Sequence, residues 1–244
     1  LYVDLTLCTT EHVNGVMFLK DTGVWRIAML KISRQLPDNY RGFLYFMTTF
    51  EHLKVVDLAE TEATEHVFYK GFDTLTSLDL ESSGVEDLGP LARLTTLVDL
   101  DVSYTKVTRL RALAELTQLR RLVLDYTYVA DVSPLKLLTK LTSLELSNTS
   151  VKDVSSLRNL IELSYLDLSR TRIDDVKGLA PLQHLEWLSL YDTPVTDVEP
   201  LAWFSSLTTL AVRNTKTTTI PTTQTFTKPQ YPHRPARART AQST

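Results

Sequence analysis

The sequence predicts an α/β solenoid. Stacked coils each give one short strand to a single long, curved parallel sheet and return through 3₁₀-like or helical turns or loops. Three observations carry this reading. The chain aligns on itself with a period of 22 residues. Apolar residues fall at fixed places within each period. The spacing of those places changes inside the unit, from strand-like alternation to steps of three.

The regular units open at Leu53, Leu75, Leu97, Leu119, Leu141, Leu163, Leu185 and Leu207, with openings such as LTSLDL, LVDLDV and LSYLDL. Within each, positions 1, 4, 6, 11, 14, 17 and 20 are apolar; Leu163, Leu166, Leu168, Ile173, Val176, Leu179 and Leu182 fill them in one unit. Positions 4 to 6 alternate as a strand does when one face is buried. The later steps of three suit a 3₁₀ turn leading back to the next strand. One such unit cannot bury its own apolar face, whereas stacked units bury it against each other. Strands one period apart must then run parallel.

Two looser units precede these. Tyr2, Leu5 and Leu7 read as one opening, and Ile27, Leu30 and Ile32 as another, with Leu44, Met47 and Phe50 in the back half of the second. Residues 1–52 are thus two degenerate repeats, and 53–216 hold the regular ones. Residues 217–244 form a Thr/Pro-rich basic tail expected to be disordered. The first strand begins at once, with no polar cap before it, so further coils are expected upstream.

Charge is unevenly distributed. The net value is −3, yet the tail carries Lys228, Arg234, Arg237 and Arg239 and no acid, which leaves the body at −7. An acidic body disfavours nucleic acid as the partner, because phosphate neutralisation needs a basic surface. The single cysteine, Cys8, allows no internal disulfide and favours a reducing, cytoplasmic compartment, with a surface or secreted location left open. No apolar run reaches about 18 residues, so no membrane span is expected.

Nothing in the chain reads as catalytic machinery. There is no glycine-rich phosphate loop, and His12, His52, His66, His184 and His233 form no H-E-x-x-H site. Cys8 and His12 lack further ligands nearby, so neither a metal nor another cofactor is expected, nor a small-molecule substrate. His66, Trp25, Trp203 and Phe204 fall at or beside core positions and are expected to pack. Asp87, Asp131, Asp153, Asp175 and Asp197 recur at position 13, where each carboxylate is placed to cap the following turn.

The pattern LxxLxLxxTxVxDVxPLxxLxx resembles the leucine-rich-repeat superfamily over nearly all of the chain before the tail. The 22-residue length resembles its internalin-like and SDS22-like classes. The segments VADVSPLKLLTKL and VTDVEPLAWFSSL are most similar to internalins, and Thr-Val-Asp-Val patterns are similar to those of kinetoplastid leucine-rich-repeat proteins. The resemblance implies a horseshoe with its strands on the concave face, its turns on the convex face and partner binding mainly on the strands. One departure is clear. The family's usual Asn at position 9 is replaced by Thr61, Ser83, Thr105, Thr127, Thr149, Thr171, Thr193 and Thr215, whose hydroxyls suit a shorter ladder.

The non-repeating strand positions 2, 3, 5, 7 and 8 are the informative ones. Position 5 runs Asp57, Asp79, Asp101, Val123, Glu145, Asp167, Ser189, Ala211. This acidic ladder reads either as a negative surface for a partner with a basic patch or as a face kept charged for solubility. Positions 3, 7 and 8 carry Tyr104, Arg121, Tyr126, Tyr165, Arg170, Trp187 and Tyr191. Tyr, Trp and Arg dominate binding hot spots because they bury much area and keep a polar handle. With Asp167, these seven form the expected partner-binding set. Tyr165, Trp187 and Tyr191 are expected on adjacent strands, close enough to make one patch, which reads either as a binding surface or as aromatic stacking that stiffens the sheet. The function expected is a non-catalytic protein-binding scaffold or adaptor. The internalin resemblance implies the alternative of a surface adhesin or virulence factor, and the SDS22 resemblance that of a phosphatase-regulatory subunit.

Overall fold

A computed structural model describes residues 2–4, 29–31, 52–68 and 72–218. Ten three-residue strands form one parallel sheet in strict chain order. They are β1 (Tyr2–Asp4), β2 (Met29–Lys31), β3 (Val55–Asp57), β4 (Ser77–Asp79), β5 (Asp99–Asp101), β6 (Arg121–Val123), β7 (Ser143–Glu145), β8 (Tyr165–Asp167), β9 (Trp187–Ser189) and β10 (Thr209–Ala211). From β3 onward each residue pairs with the one 22 places later, for example Leu144 with Leu166 and Leu188 with Leu210. Each strand therefore occupies positions 3 to 5 of its coil, one place earlier than the alternation suggested.

β1 departs from the expected register. Val3, not Leu5, pairs with Leu30, so Tyr2 takes the third place of its coil rather than the first. The alternation Val3, Leu5, Leu7 permits this, because a two-residue slip keeps the same face inward. Leu44, Met47, Phe50, Cys8, His12, Trp25 and the tail from residue 219 lie outside the described residues, as does the side chain of His66.

The core is one continuous column. From the coil of Leu75 to that of Leu185, the residues at positions 1, 4, 6, 11, 14, 17 and 20 are buried, as Leu141, Leu144, Leu146, Val151, Val154, Leu157 and Leu160 show in one coil. Each fully buried leucine contributes roughly 1.5–3 kcal/mol, so stacking outweighs the weak stability of any isolated coil. The steps of three close as 3₁₀ turns at Glu65–Phe68, Gly89–Arg93, Arg111–Glu115, Ser133–Leu137, Ser155–Asn159, Lys177–Leu179 and Glu199–Leu201. The position-13 aspartates cap them as expected. Asp87, Asp131, Asp153, Asp175 and Asp197 each accept the N–H two residues on, at 2.8–2.9 Å.

The hydroxyls at position 9 do not build a ladder between coils. Seven Thr hydroxyls, from Thr61 to Thr215, donate instead to the position-6 carbonyl of their own coil, as Thr149 does to Leu146 at 2.7 Å. A threonine is too short to reach the neighbouring coil. Backbone bonds make that link, such as Leu146 N–H to Asp167 O at 2.9 Å and Asn148 N–H to Ser169 O at 2.9 Å. Phe204 is buried as expected, but Trp203 is not: it is 83% exposed. The 3₁₀ turn of that coil points position 20 inward and leaves position 19 on the convex surface, where Leu137 is exposed in the same place.

Candidate partner-binding face

The outward positions of the strands build this face. Their geometry starts with the acids at position 5. The Asp57 and Asp79 carboxylates accept the N–H two residues on, at 3.1 and 3.0 Å. Asp101 accepts both the N–H and the hydroxyl of Ser103, and Asp167 both groups of Ser169. The ladder is thus a row of turn caps at the ends of the strands. Asp101 and Glu145 are only 5% and 4% exposed. The ladder is therefore divided: Asp101 and Glu145 are withdrawn from solvent by the neighbouring coils, while Asp57, Asp79 and Asp167 stay half-exposed.

The turns that these acids cap explain a feature the sequence hides. Position 8 is left-handed in every regular coil, at Glu60, Ser82, Tyr104, Tyr126, Asn148, Arg170, Asp192 and Asn214, with φ between 53° and 61°. The conformation costs an ordinary residue on the order of 1 kcal/mol. Asn148, Asp192 and Asn214 are among the types that tolerate it. Tyr104, Tyr126 and Arg170 are not, so the backbone does not account for their presence. The conformation turns them outward onto the rim: Tyr104 and Tyr126 are 48% and 42% exposed and stack at 4.4 Å with an 11° tilt.

A second stack lies at position 3. Tyr165 and Trp187, on adjacent strands, are parallel within 2° at 4.3 Å. Both are half-buried. Burial, with Asp167, Glu145 and Asp125 nearby, pushes the Tyr165 phenol well above its usual range, so it stays a neutral donor. The indole Nε1 of Trp187 and the hydroxyl of Ser143, in the same column, find no hydrogen-bond partner among the described residues. Tyr191 does not complete this patch. It sits four residues further along, at position 7, where the Arg170 guanidinium lies 5.5 Å from its ring centre and Asn214 donates to its hydroxyl at 3.4 Å. The eight expected residues therefore divide into a position-3 stack, a rim of Tyr104, Tyr126, Arg170 and Tyr191, and two residues in the acidic bed, Arg121 and Asp167.

Arg121 spans three strands. Its guanidinium bonds Asp99 at 3.1 Å and Glu145 at 3.0 Å. Burial opposes its charge, but Asp99 and Glu145 outweigh that and raise its pKa. Beside it, Asp125 is a residue that sequence reasoning passed over. Position 5 of its coil is Val123, which cannot cap, and Asp125 instead accepts the N–H of Ser147 in the next coil at 2.7 Å. Burial, then Glu145 and Asp167, push its carboxyl up to about 8 against the pull of the Ser147 bond, so it is protonated at neutral pH. Burial also raises Asp167, against the bonds from Ser169. Further along the bed, Asp79, Glu81 and Asp101 bring one carboxylate oxygen each within 4.8 Å of one another, a spacing that a cation would tolerate.

Known proteins share this architecture. A family pattern described as Leucine Rich repeats (2 copies) matches residues 139–181. Internalin C2 of Listeria monocytogenes superposes with a TM-score of 0.61 and 26% identity, over 66% of this chain and 70% of that one. The chain folds as a leucine-rich-repeat solenoid whose coils resemble those of internalins. Internalin F of the same organism matches this leucine-rich-repeat chain with a TM-score of 0.57 and 25% identity, over 78% of it and 60% of internalin F. The ectodomain of the Arabidopsis receptor kinase HAESA, in complex with an IDA peptide hormone, matches at 0.61 and 19% identity, over 70% of this chain and 31% of its own, and so speaks for the fold. No curated protein sequence matches. The solenoid is a leucine-rich-repeat horseshoe with its parallel sheet on the concave face. Among the described residues, no helix is long and apolar enough to cross a membrane.

Proposed function

We propose that this leucine-rich-repeat domain is a non-catalytic protein-binding scaffold that holds its partner on the concave face. The observation that carries the reading is the pair of aromatic stacks, Tyr104 with Tyr126 and Tyr165 with Trp187. The first is placed on left-handed backbone that no tyrosine favours. Packing needs neither stack, since the core is already filled by the leucine column. Arg170 and Tyr191 continue the rim, and Arg121 and Asp167 lie in the bed between the stacks. The partner that fits is another protein with a basic patch, because Asp79, Glu81, Asp99 and Asp167 bring half-exposed carboxylates to the bed around Arg121.

The test is a cross-linking pulldown from native cells with the intact chain and a Tyr104→Ala, Tyr126→Ala, Tyr165→Ala, Trp187→Ala variant of matched circular dichroism and melting. A partner recovered only by the intact chain supports the reading. Equal recovery moves function off this patch. A second reading, a surface adhesin or virulence factor, draws on the likeness to internalins C2 and F over 66% and 78% of the chain. Labelling of intact cells by a membrane-impermeant reagent tests it: an unlabelled chain refutes that location. The phosphatase-regulatory reading draws less support, because the Thr at position 9 and the D-V-x-P-L turns depart from the SDS22 pattern.

A further inference from the structure

We propose that the concave face takes the chain's own residues 219–244 as an intramolecular ligand, so that an outside partner must displace them. The inference rests on the concave face being the binding face. It adds the identity of the resting occupant.

The first argument is charge. Residues 219–244 contain Lys228, Arg234, Arg237 and Arg239 and no acid, while the coils of β4 to β8 present the half-exposed carboxylates of Asp79, Glu81, Asp99 and Asp167 around Arg121. Arg121 itself shows how this bed holds a guanidinium, across two strand spacings and between two carboxylates.

The second argument is order. Going away from β10, the face offers first the Tyr165–Trp187 stack on β9 and β8, and then the acids of β7 to β4. Going away from Thr218, the segment offers first Phe226, Pro229, Tyr231 and Pro232, and then Arg234, Arg237 and Arg239. Aromatic and proline groups thus come level with the aromatic stack, and the arginines with the carboxylates.

The third argument is reach. Thr218 ends the described chain one turn beyond β10. Strands lie about 4.8 Å apart, so β5 is roughly 24 Å from β10. The roughly 16 residues between Thr218 and Arg234 span up to about 50 Å. The tether is long enough, and a tether of this length sets an effective concentration on the order of 1 mM.

The experiment is a fluorescence-anisotropy titration of a labelled synthetic peptide of residues 219–244 into two full-length chains. One is unchanged. The other carries Arg234→Gln, Arg237→Gln and Arg239→Gln, which weakens its own occupant. The expected result is at least tenfold tighter peptide binding by the neutralised chain. Adding Asp79→Asn, Glu81→Gln and Asp99→Asn to that chain should then cost the peptide about tenfold. If those changes perturb folding, the same three Arg→Gln changes placed in the peptide instead test the charge with the protein untouched. Equal affinity for the two full-length chains, or a peptide indifferent to its arginines, overturns the proposal. Concentration-dependent association of the unchanged chain that the neutralised chain lacks would assign the segment to a second copy and also overturn it. An outside partner that binds the stacks with the same affinity whether or not the segment is neutralised refutes this inference and leaves the scaffold reading standing.

Discussion

Asp125 offers the sharpest physical test, because its ionisation opposes the fold. In the unfolded chain its carboxyl titrates near 3.8; in the folded chain it is held up to about 8 by burial and by Glu145, Asp167 and Asp101. The folded state therefore binds a proton that the unfolded state has released. Below pH 3.8 both states are protonated and the group costs nothing. Between 3.8 and about 8, stability falls as pH rises, by up to ~1.4 kcal/mol per pH unit, and by pH 7 the loss is ~4 kcal/mol. Above about 8 the folded carboxyl also ionises and the loss levels off. Asn is the neutral mimic of the protonated acid, and its Oδ1 can still accept the Ser147 N–H. Asp125→Asn should match the parent near pH 4 and exceed its stability by several kcal/mol at pH 7 to 8. Urea unfolding across this range, read as the difference between the two proteins, isolates this group from other titrations. A difference that stays flat with pH, or a variant that is less stable throughout, would refute the assignment of a neutral Asp125.

Four other outcomes follow from the geometry. Arg121→Met leaves Glu145, only 4% exposed, without its guanidinium; chemical denaturation should show a loss of about 3 kcal/mol, recovered in large part by adding Glu145→Met. Leu144→Ala opens a cavity in the middle of the column and should cost about 2–5 kcal/mol by the same measurement. Asp153→Ala removes the cap on Ser155 N–H and should cost about 1 kcal/mol near neutral pH; the bonds from Ser155 depress the Asp153 pKa, so the effect should fade as acid protonates it. Gly178→Ala places a Cβ 2.8 Å from Ser155 Cα and 2.9 Å from the Val154 carbonyl, both backbone, and should lower the melting temperature where a surface Gly→Ala change would raise it.

What the sequence made legible was the repeated apolar frame and the turn caps at position 13. Leu141, Leu144 and Leu146 recur because each coil must meet the next, so the column, the parallel sheet, the 3₁₀ turns and the position-13 caps follow from period alone. The site was legible only in composition. Tyr165 and Trp187 were placed side by side correctly because strand order fixes neighbours. Tyr191 was not, because it lies in the turn two residues beyond β9, and a patch is set by position within the coil as well as by coil number. The role of the position-5 acids was hidden for a different reason. Asp79 and Asp101 read as surface charge because only the structure shows a turn two residues on that needs an acceptor. Asp125 stood outside the ladder and drew no notice, yet burial, with Glu145 and Asp167, holds its carboxyl up to about 8.

The division of labour inside the coil then narrows where recognition can evolve. Positions 1, 4, 6, 11, 14, 17 and 20 are fixed by stacking, position 9 by its bond to position 6, position 13 by the 3₁₀ cap, and position 5 by the turn cap or by crowding. Position 7 is constrained in part, since Ser103 and Ser169 hold the capping carboxylates in place. Position 2 stays variable and at least half-exposed at the entry to each strand; beyond it on the concave side, positions 3 and 8 combine exposure with freedom from the repeat, and position 8 carries a standing preference for Asn or Asp through its left-handed backbone. The aromatic stacks occupy those two columns and no others. Residues chosen for the fold would have put small polar groups there, as Ser77, Ser82 and Asn148 do in other coils. Tyr104, Tyr126, Tyr165 and Trp187 break that rule together, in two contiguous pairs, and that is the physical ground for placing recognition on them rather than on the more numerous acids.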